Sequence, residues 1–191
     1  MNFTRTEIED IIICAPQVHS DDRGYFAETF RQDKLEEFIG RKINFCQDNE
    51  TKSEFGVLRG LHHQVAPFTQ AKLVRVVEGA ILDVVVDIRK GSPTFGKHIV
   101  VELSGENKKQ IFIPRGFTHG YQVISEHAIV TYKVDGYYSN QCDKGISYND
   151  PDLNIAWPIL DERMILSTKD TQQPSFKETN DLFDYNVDYY G

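Results

Sequence analysis

Residues 56–64 read Gly-Val-Leu-Arg-Gly-Leu-His-His-Gln and set Arg59, His62 and His63 in a strand-like run. Imidazole and guanidinium are the groups of proton transfer near neutral pH and of anion binding. The next run, residues 70–79, puts Lys72 on one strand face with Val74 and Val76. An ammonium on an apolar face is costly unless it meets an anion or a polar pocket. The plainer reading is an edge position from which the amine reaches water. In residues 128–134, Tyr132 shares a face with Ala128, Val130 and Val134, so its phenol points inward. There it is either a core tyrosine with one hydrogen bond or a proton donor in a cavity.

Residues 113–120, Ile-Pro-Arg-Gly-Phe-Thr-His-Gly, carry the Pro-x-Gly-x-x-His spacing of the second motif of cupin barrels. In many cupins that histidine, here His119, binds a metal. Such a centre also wants a His-x-His pair and a carboxylate. His62 and His63 are adjacent, and neighbours on a regular strand face opposite sides. Glu78 is present, but the three-ligand set is broken, so no metal is expected.

The elements that must position these groups read as strands. Leu82, Val84, Val86 and Ile88 alternate with Asp83, Val85, Asp87 and Arg89, and residues 98–103 and 127–134 alternate in the same way. Gln110–Ile113 is a further run, stopped by Pro114. Turn signals recur at Gly79 and at residues 90–93, 104–107, 115–116 and 135–136. Short strands with no helix between them predict an antiparallel β-sandwich or jelly-roll barrel, not a parallel doubly wound sheet. Upstream, Ile11–Ile13 before Pro16 reads as an edge strand, residues 21–24 as a turn and 25–30 as a strand. Residues 32–40 read as a short amphipathic helix with Leu35, Phe38 and Ile39 at helical spacing and Gly40 at its end. A second short helix is expected over 161–169. One domain is expected over residues 1–175, then an acidic tail, 176–191, packed on the surface or partly disordered.

Composition narrows the function. The chain has 191 residues, 40% hydrophobic and 12% aromatic, which suits one folded domain. Its 21 basic and 29 acidic residues leave a net charge of −8, so it lacks the general field that draws proteins onto nucleic acid or anionic membranes. No apolar run approaches the roughly 18–20 residues of a membrane span. The acidic start is unlike a secretory signal, and a cytoplasmic location is expected. Cys14, Cys46 and Cys142 are odd in number and widely spaced, which predicts reduced thiols rather than a disulfide framework.

Taken jointly, the motifs resemble the dTDP-4-dehydrorhamnose 3,5-epimerase family over residues 5–175. The resemblance rests on Asp22-Arg23-Gly24-Tyr25-Phe26-Ala27-Glu28, Gln47-Asp48-Asn49, the run 57–62, and Lys72-Leu73-Val74-Arg75. Residues 86–89, 92–96, 113–120, 137–138, 144–146 and 149–151 extend it. The family usually has an aromatic residue after the first histidine, where this chain has His63.

The resemblance implies a metal-free, cofactor-free reaction on a dTDP-linked 4-keto-6-deoxyhexose. The C4 ketone acidifies the protons on C3 and C5, and the reaction needs a base, an oxyanion stabiliser and an acid. By the resemblance His62 is the base, with Asp170 orienting its ring. Lys72 sits by the C4 oxygen, and Tyr132 delivers a proton from the opposite face. Arg59 and Lys169, with Arg23 contributing, neutralise the diphosphate, and His119 lines the site. Gln47 and Glu28 hydrogen-bond the nucleotide, while Tyr138 and Phe26 stack around thymine. The segment carrying Arg23, Phe26 and Glu28 comes from a neighbouring subunit, implying a homodimer with exchanged N-terminal strands. An exposed edge strand over residues 9–14 would suit that exchange. The alternatives are a C3-only epimerase of a related nucleotide keto sugar, a cupin that binds a sugar nucleotide without turnover, and a metal-dependent dioxygenase.

Overall fold

The alternating, β-branched runs in the middle of the chain pair into two antiparallel sheets in the computed structural model, which describes residues 1–190. One sheet has the order β1 (Asn2–Arg5), β2 (Ile12–Ala15), β11 (Gln110–Ile113), β7 (Lys72–Glu78), β13 (His127–Val134), β5 (Gln47–Glu54). The other has the order β10 (His98–Ser104), β8 (Ala80–Asp87), β12 (Phe117–Val123), β6 (Leu58–Gln64), β14 (Asp143–Gly145). β3 (Val18–Asp21) and β4 (Gly24–Ala27) pair only with each other, and β15 (Phe183–Asp184) pairs in parallel with β9 (Arg89–Lys90). This is the antiparallel jelly-roll class that the strand spacing predicts.

Apolar residues from both sheets meet between them: Val74, Val76, Ile111, Ala128 and Val130 face Val85, Phe117 and Tyr121. Full burial of each large aliphatic side chain contributes about 1.5–3 kcal/mol. Two further clusters coat the outer faces. Leu58, Leu61, Val84, Val86 and Ile88 are covered by Leu153, Trp157 and Phe183 from the C-terminal segment. Ile12, Cys14, Leu73 and Phe112 are covered by Leu35 of α1 (Gln32–Ile39), which Gly40 ends in the left-handed conformation at φ 74°.

Four expectations change. The alternation in β8 predicts one covered face, yet Asp83 and Asp87, on the face opposite Val84 and Val86, are 0% exposed too. The even-numbered valines of β8 pack outward under the C-terminal segment, so Asp83 shares the inward face with Val85. Ile12–Ala15 is not an edge strand, because it pairs with β1 on one side and β11 on the other. The strand read over 25–30 is confined to Gly24–Ala27. Residues 161–169 form a turn and a bridge from Ile165 to Val57, and the helical turn is a 3-10 one at Asp170–Gln172. α1 is the one α-helix among the described residues, and none of their helices is long and apolar enough to cross a membrane.

Residues 176–190 run along the barrel. Phe183 is buried, Tyr190 lies under the Arg41 guanidinium at 4.2 Å, and Tyr185 lies under Arg89 at 5.1 Å. The three cysteines are free thiols, and burial pushes Cys14 up to about 12.

Candidate active site

Residues three apart on a regular strand face opposite ways, yet Arg59 and His62 both face the barrel interior. The pairing of β6 with β12 explains this. His62 lies opposite His119 and Arg59 opposite Tyr121, so three steps on β6 match two on β12. This irregularity is a bulge, and Gly60 sits in it at φ 134°. A Cβ on Gly60 would lie 2.4 Å from the Gly120 Cα, a separation no other residue allows.

His62 is backed by Asp170. The ring Nε2 is 2.6 Å from the carboxylate Oδ1, with the N–H off the line to the oxygen, so this is a close contact rather than a straight hydrogen bond. Asp170 is 3% exposed and belongs to the 3-10 turn. Burial works to raise its pKa, but contacts from His62 and Ser167 outweigh this and hold it below the ordinary carboxylate value. Nδ1 is left as the nitrogen able to take a proton. His63 points away, to the other side of β6. Its Nε2 bonds the Asp181 carbonyl at 2.9 Å, and burial pushes it down to about 4, so it is neutral at physiological pH. The two histidines have separate partners, as the alternation of a strand requires.

Lys72 begins β7 on the same inward face as Val74 and Val76. Its Nζ reaches the His62 carbonyl at 3.5 Å, across from the opposite sheet. Burial pushes the ammonium down to about 8, against the opposing pull of Asp143 and Asp83. Tyr132 on β13 lies opposite Val74, and Val134 opposite Lys72, so Tyr132 and Lys72 are diagonal neighbours on one face. The Tyr132 ring packs against the core, and burial raises its phenol.

A second histidine–carboxylate pair stands beside the first. His119 lies opposite His62 across the sheet, and its Nε2 is 2.7 Å from Asp83 Oδ2, with both groups buried. At the mouth, Arg59 donates to Ser53 Oγ at 3.1 Å, and the Gln47 carboxamide oxygen accepts from the Tyr138 N–H at 3.3 Å. The Tyr138 hydroxyl donates to Asp143 at 2.9 Å, and Lys169 pairs with the same carboxylate. Among the described residues no group of three His, Cys, Asp or Glu is placed to hold a metal ion.

Within one chain, Arg23, Phe26 and Glu28 stay outside this cluster. The Arg23 side chain is 90% exposed and pairs with Asp21 of its own hairpin, Phe26 is 70% exposed, and Glu28 pairs with Arg31. Conversely, Asp83, Asp143 and Ser167 belong to the site although the sequence did not single them out. Asp83 lies in the alternating run 82–89, whose pattern does not say which face is inside. Asp143 sits in Gln-Cys-Asp-Lys-Gly, and Ser167 in Leu-Ser-Thr-Lys-Asp, runs with no chemical pattern of their own.

Comparison with known proteins matches residues 5–178 to the family model described as dTDP-4-dehydrorhamnose 3,5-epimerase. A protein of that name from Shigella flexneri is 49% identical over 180 residues, covering 94% of this chain and 98% of its own. The chain belongs to the dTDP-4-dehydrorhamnose 3,5-epimerase family. A solved epimerase from Legionella pneumophila, in complex with dTDP-4-keto-L-rhamnose, aligns with TM-score 0.93 and 44% identity over 97% of this chain and 99% of that one. A 3'-monoepimerase from Streptomyces bikiniensis, in complex with dTDP-quinovose, aligns with TM-score 0.85 and 34% identity over 91% and 87%. The fold is thus shared by double and single epimerases, while the double epimerases stand nearer in sequence among these relatives.

Inverting a carbon by proton transfer takes a base and an acid on opposite sides of it. Here His62 is carried by the five-stranded sheet and Tyr132 by the six-stranded sheet that faces it. The arrangement can take a proton from one side and return one from the other, with an ammonium beside the space between.

Proposed function

We propose that this chain epimerises C3 and C5 of dTDP-4-dehydro-6-deoxy-D-glucose to give dTDP-4-dehydro-L-rhamnose. The observation that carries the reading is the His62–Asp170 pair facing Lys72 and Tyr132 inside one barrel. His62 removes the proton next to the ketone, and the electron pair moves onto the C4 oxygen as an enolate. Asp170 stabilises the imidazolium that forms. Lys72 holds the enolate with a fixed positive charge in a place of low dielectric. Tyr132 then protonates the same carbon from the opposite face, which inverts it. Repeating the cycle at the other carbon completes the reaction. No step calls on a metal or other cofactor. Solvent resets the imidazolium and the tyrosinate between cycles.

Arg59 and Lys169 bind the diphosphate, and His119 with its Asp83 partner lines the sugar pocket. Gln47 hydrogen-bonds the nucleotide and Tyr138 stacks on thymine. Arg23, Phe26 and Glu28 do their work in the site of a second copy. An exposed two-stranded hairpin with an aromatic ring at 70% exposure fits insertion into a partner better than solvation. The exchanged element is then the β3–β4 hairpin rather than residues 9–14. A cytoplasmic location fits this activity, because a charged nucleotide sugar does not cross a bilayer unaided.

The test is turnover of the 4-keto sugar nucleotide in heavy water. Deuterium is expected at both C3 and C5, since the Tyr132 proton comes from solvent. Label at C3 alone would assign the narrower activity of the single epimerases, and label at neither carbon would overturn the reading.

A further inference from the structure

We propose that Ser167 is a positioning residue of this epimerase: its hydroxyl holds one oxygen of Asp170 so that the other is presented to His62. The inference rests on the reading of His62 as base with Asp170 behind it.

Ser167 grips Asp170 at both ends. Its Oγ–H donates to Asp170 Oδ2 at 2.7 Å, while the Asp170 backbone N–H donates to Ser167 Oγ at 3.1 Å and to the Ser167 carbonyl at 3.0 Å. These contacts close a short ring, residues 167–170, at the entry to the 3-10 turn. The carboxylate's own torsion is soft, with broad two-fold wells. Pinning Oδ2 leaves Oδ1 as the oxygen at 2.6 Å from the His62 ring. Asp170 is 3% exposed, so water has little room to replace the serine hydroxyl.

The groups that bear on the His62 charge come from every neighbouring element. They are Asp170 on the turn, Lys72 on β7, the His119–Asp83 pair on β12 and β8, His63 on the far side of β6, and Lys169 with Asp143 at the mouth. Asp170 is the carboxylate in contact with the ring, and Ser167 is the side-chain hydroxyl that sets its orientation.

Three variants test this: Ser167→Ala, Ser167→Thr and Asp170→Asn. Because Ser167 acts on the base only through Asp170, loss of a typical net hydrogen-bond contribution predicts that Ser167→Ala lowers kcat by about 5- to 10-fold with KM within about two-fold. The acidic limb of the pH profile moves to lower pH, because an imidazolium with a turned-away carboxylate is easier to deprotonate. Asp170→Asn moves kcat and the limb in the same directions and further. Ser167→Thr restores both, since it keeps the hydroxyl. A Ser167→Ala enzyme that loses thermal stability but keeps the parent kcat and pH profile, while Asp170→Asn is impaired, would overturn the role of Ser167 and leave the proposed reaction standing. An Asp170→Asn enzyme with parent kcat and profile would overturn both. Should Ser167→Ala not fold, Ser167→Cys, with its weak thiol donor, carries the same comparison.

Discussion

The inside of the barrel and the β3–β4 hairpin both carry residues that the family resemblance assigns to one site, and they are built in opposite ways. Inside, Asp170, Asp83 and His119 are almost without solvent, and each has a bonded partner. On the hairpin, Arg23, Tyr25 and Phe26 are exposed, and Arg23 pairs only with its neighbour Asp21. Buried charge survives only where partners are arranged for it, so the interior is preorganised within a single chain. An exposed arginine pairing two residues away is screened and contributes little. On the proposed reading, the chemistry is complete in one copy, and the hairpin residues serve the nucleotide site of a second.

Variants sharpen that contrast. Removing the base should have the largest effect. His62→Asn lowers kcat by about 10³- to 10⁴-fold, and proton exchange disappears at both carbons when followed by NMR in heavy water. Lys72→Met comes next, with a loss of about 10²- to 10³-fold, corresponding to about 3–4 kcal/mol of enolate stabilisation. The same change should raise the melting temperature at pH 7. Burial holds the Lys72 pKa at about 8, below the ordinary lysine value of 10.5. Between these values the unfolded chain binds a proton that the folded chain has lost, so the parent's stability rises with pH through that window. Below pH 8 the buried ammonium carries its full penalty, and the advantage of Lys72→Met shrinks as pH rises above 8. Parent activity should fall over the same rise, as the ammonium is lost. A Lys72→Met protein less stable than the parent at pH 7 would contradict the picture of a charge held against its own solvation.

Tyr132→Phe should lower kcat by about 10²-fold, since the apolar ring remains and only the proton donor is gone. The hairpin should respond more mildly and in a different parameter. Arg23→Ala should raise KM by about 10-fold, the worth of one charge-assisted contact to phosphate, and leave kcat near the parent value. Mixing His62→Asn chains with Arg23→Ala chains sharpens the comparison furthest. A mixed dimer holds one barrel with an intact His62 and a borrowed intact Arg23, so a component with the parent KM should appear on mixing. If mixing restores nothing and Arg23→Ala cuts kcat as deeply as the interior variants, the division between barrel and hairpin is wrong.

Much of the site was legible as residue types and periodicity. The period of two puts Lys72 and Tyr132 on apolar strand faces; for Lys72 it leaves open an edge position reaching water, and the structure has both inside. The chain end of α1 followed from Gly40, and the turn at 21–24 from its Asp-Asp-Arg-Gly run. What failed did so for identifiable reasons. The pattern in β8 names an apolar face, but both faces of that strand are covered, and only the C-terminal segment decides which one is the outer. The apolar run at 11–13 reads the same in an edge strand and in a central one, because pairing on its second side depends on β11, about a hundred residues away. Residues 161–169 have helix-compatible composition, yet Ile165 is drawn into a bridge with Val57.

By itself, the order of residues determined the strand-rich class, the apolar strand faces that carry Lys72 and Tyr132, and the family, because alternation and local motifs act over a few neighbouring positions. Only the tertiary structure decided that Ser167 holds Asp170, that Asp83 faces inward to His119, and that the Gly60 bulge brings Arg59 and His62 to one side. The last two join segments tens of residues apart, and their geometry comes from sheet register and close backbone approach, which no local pattern encodes.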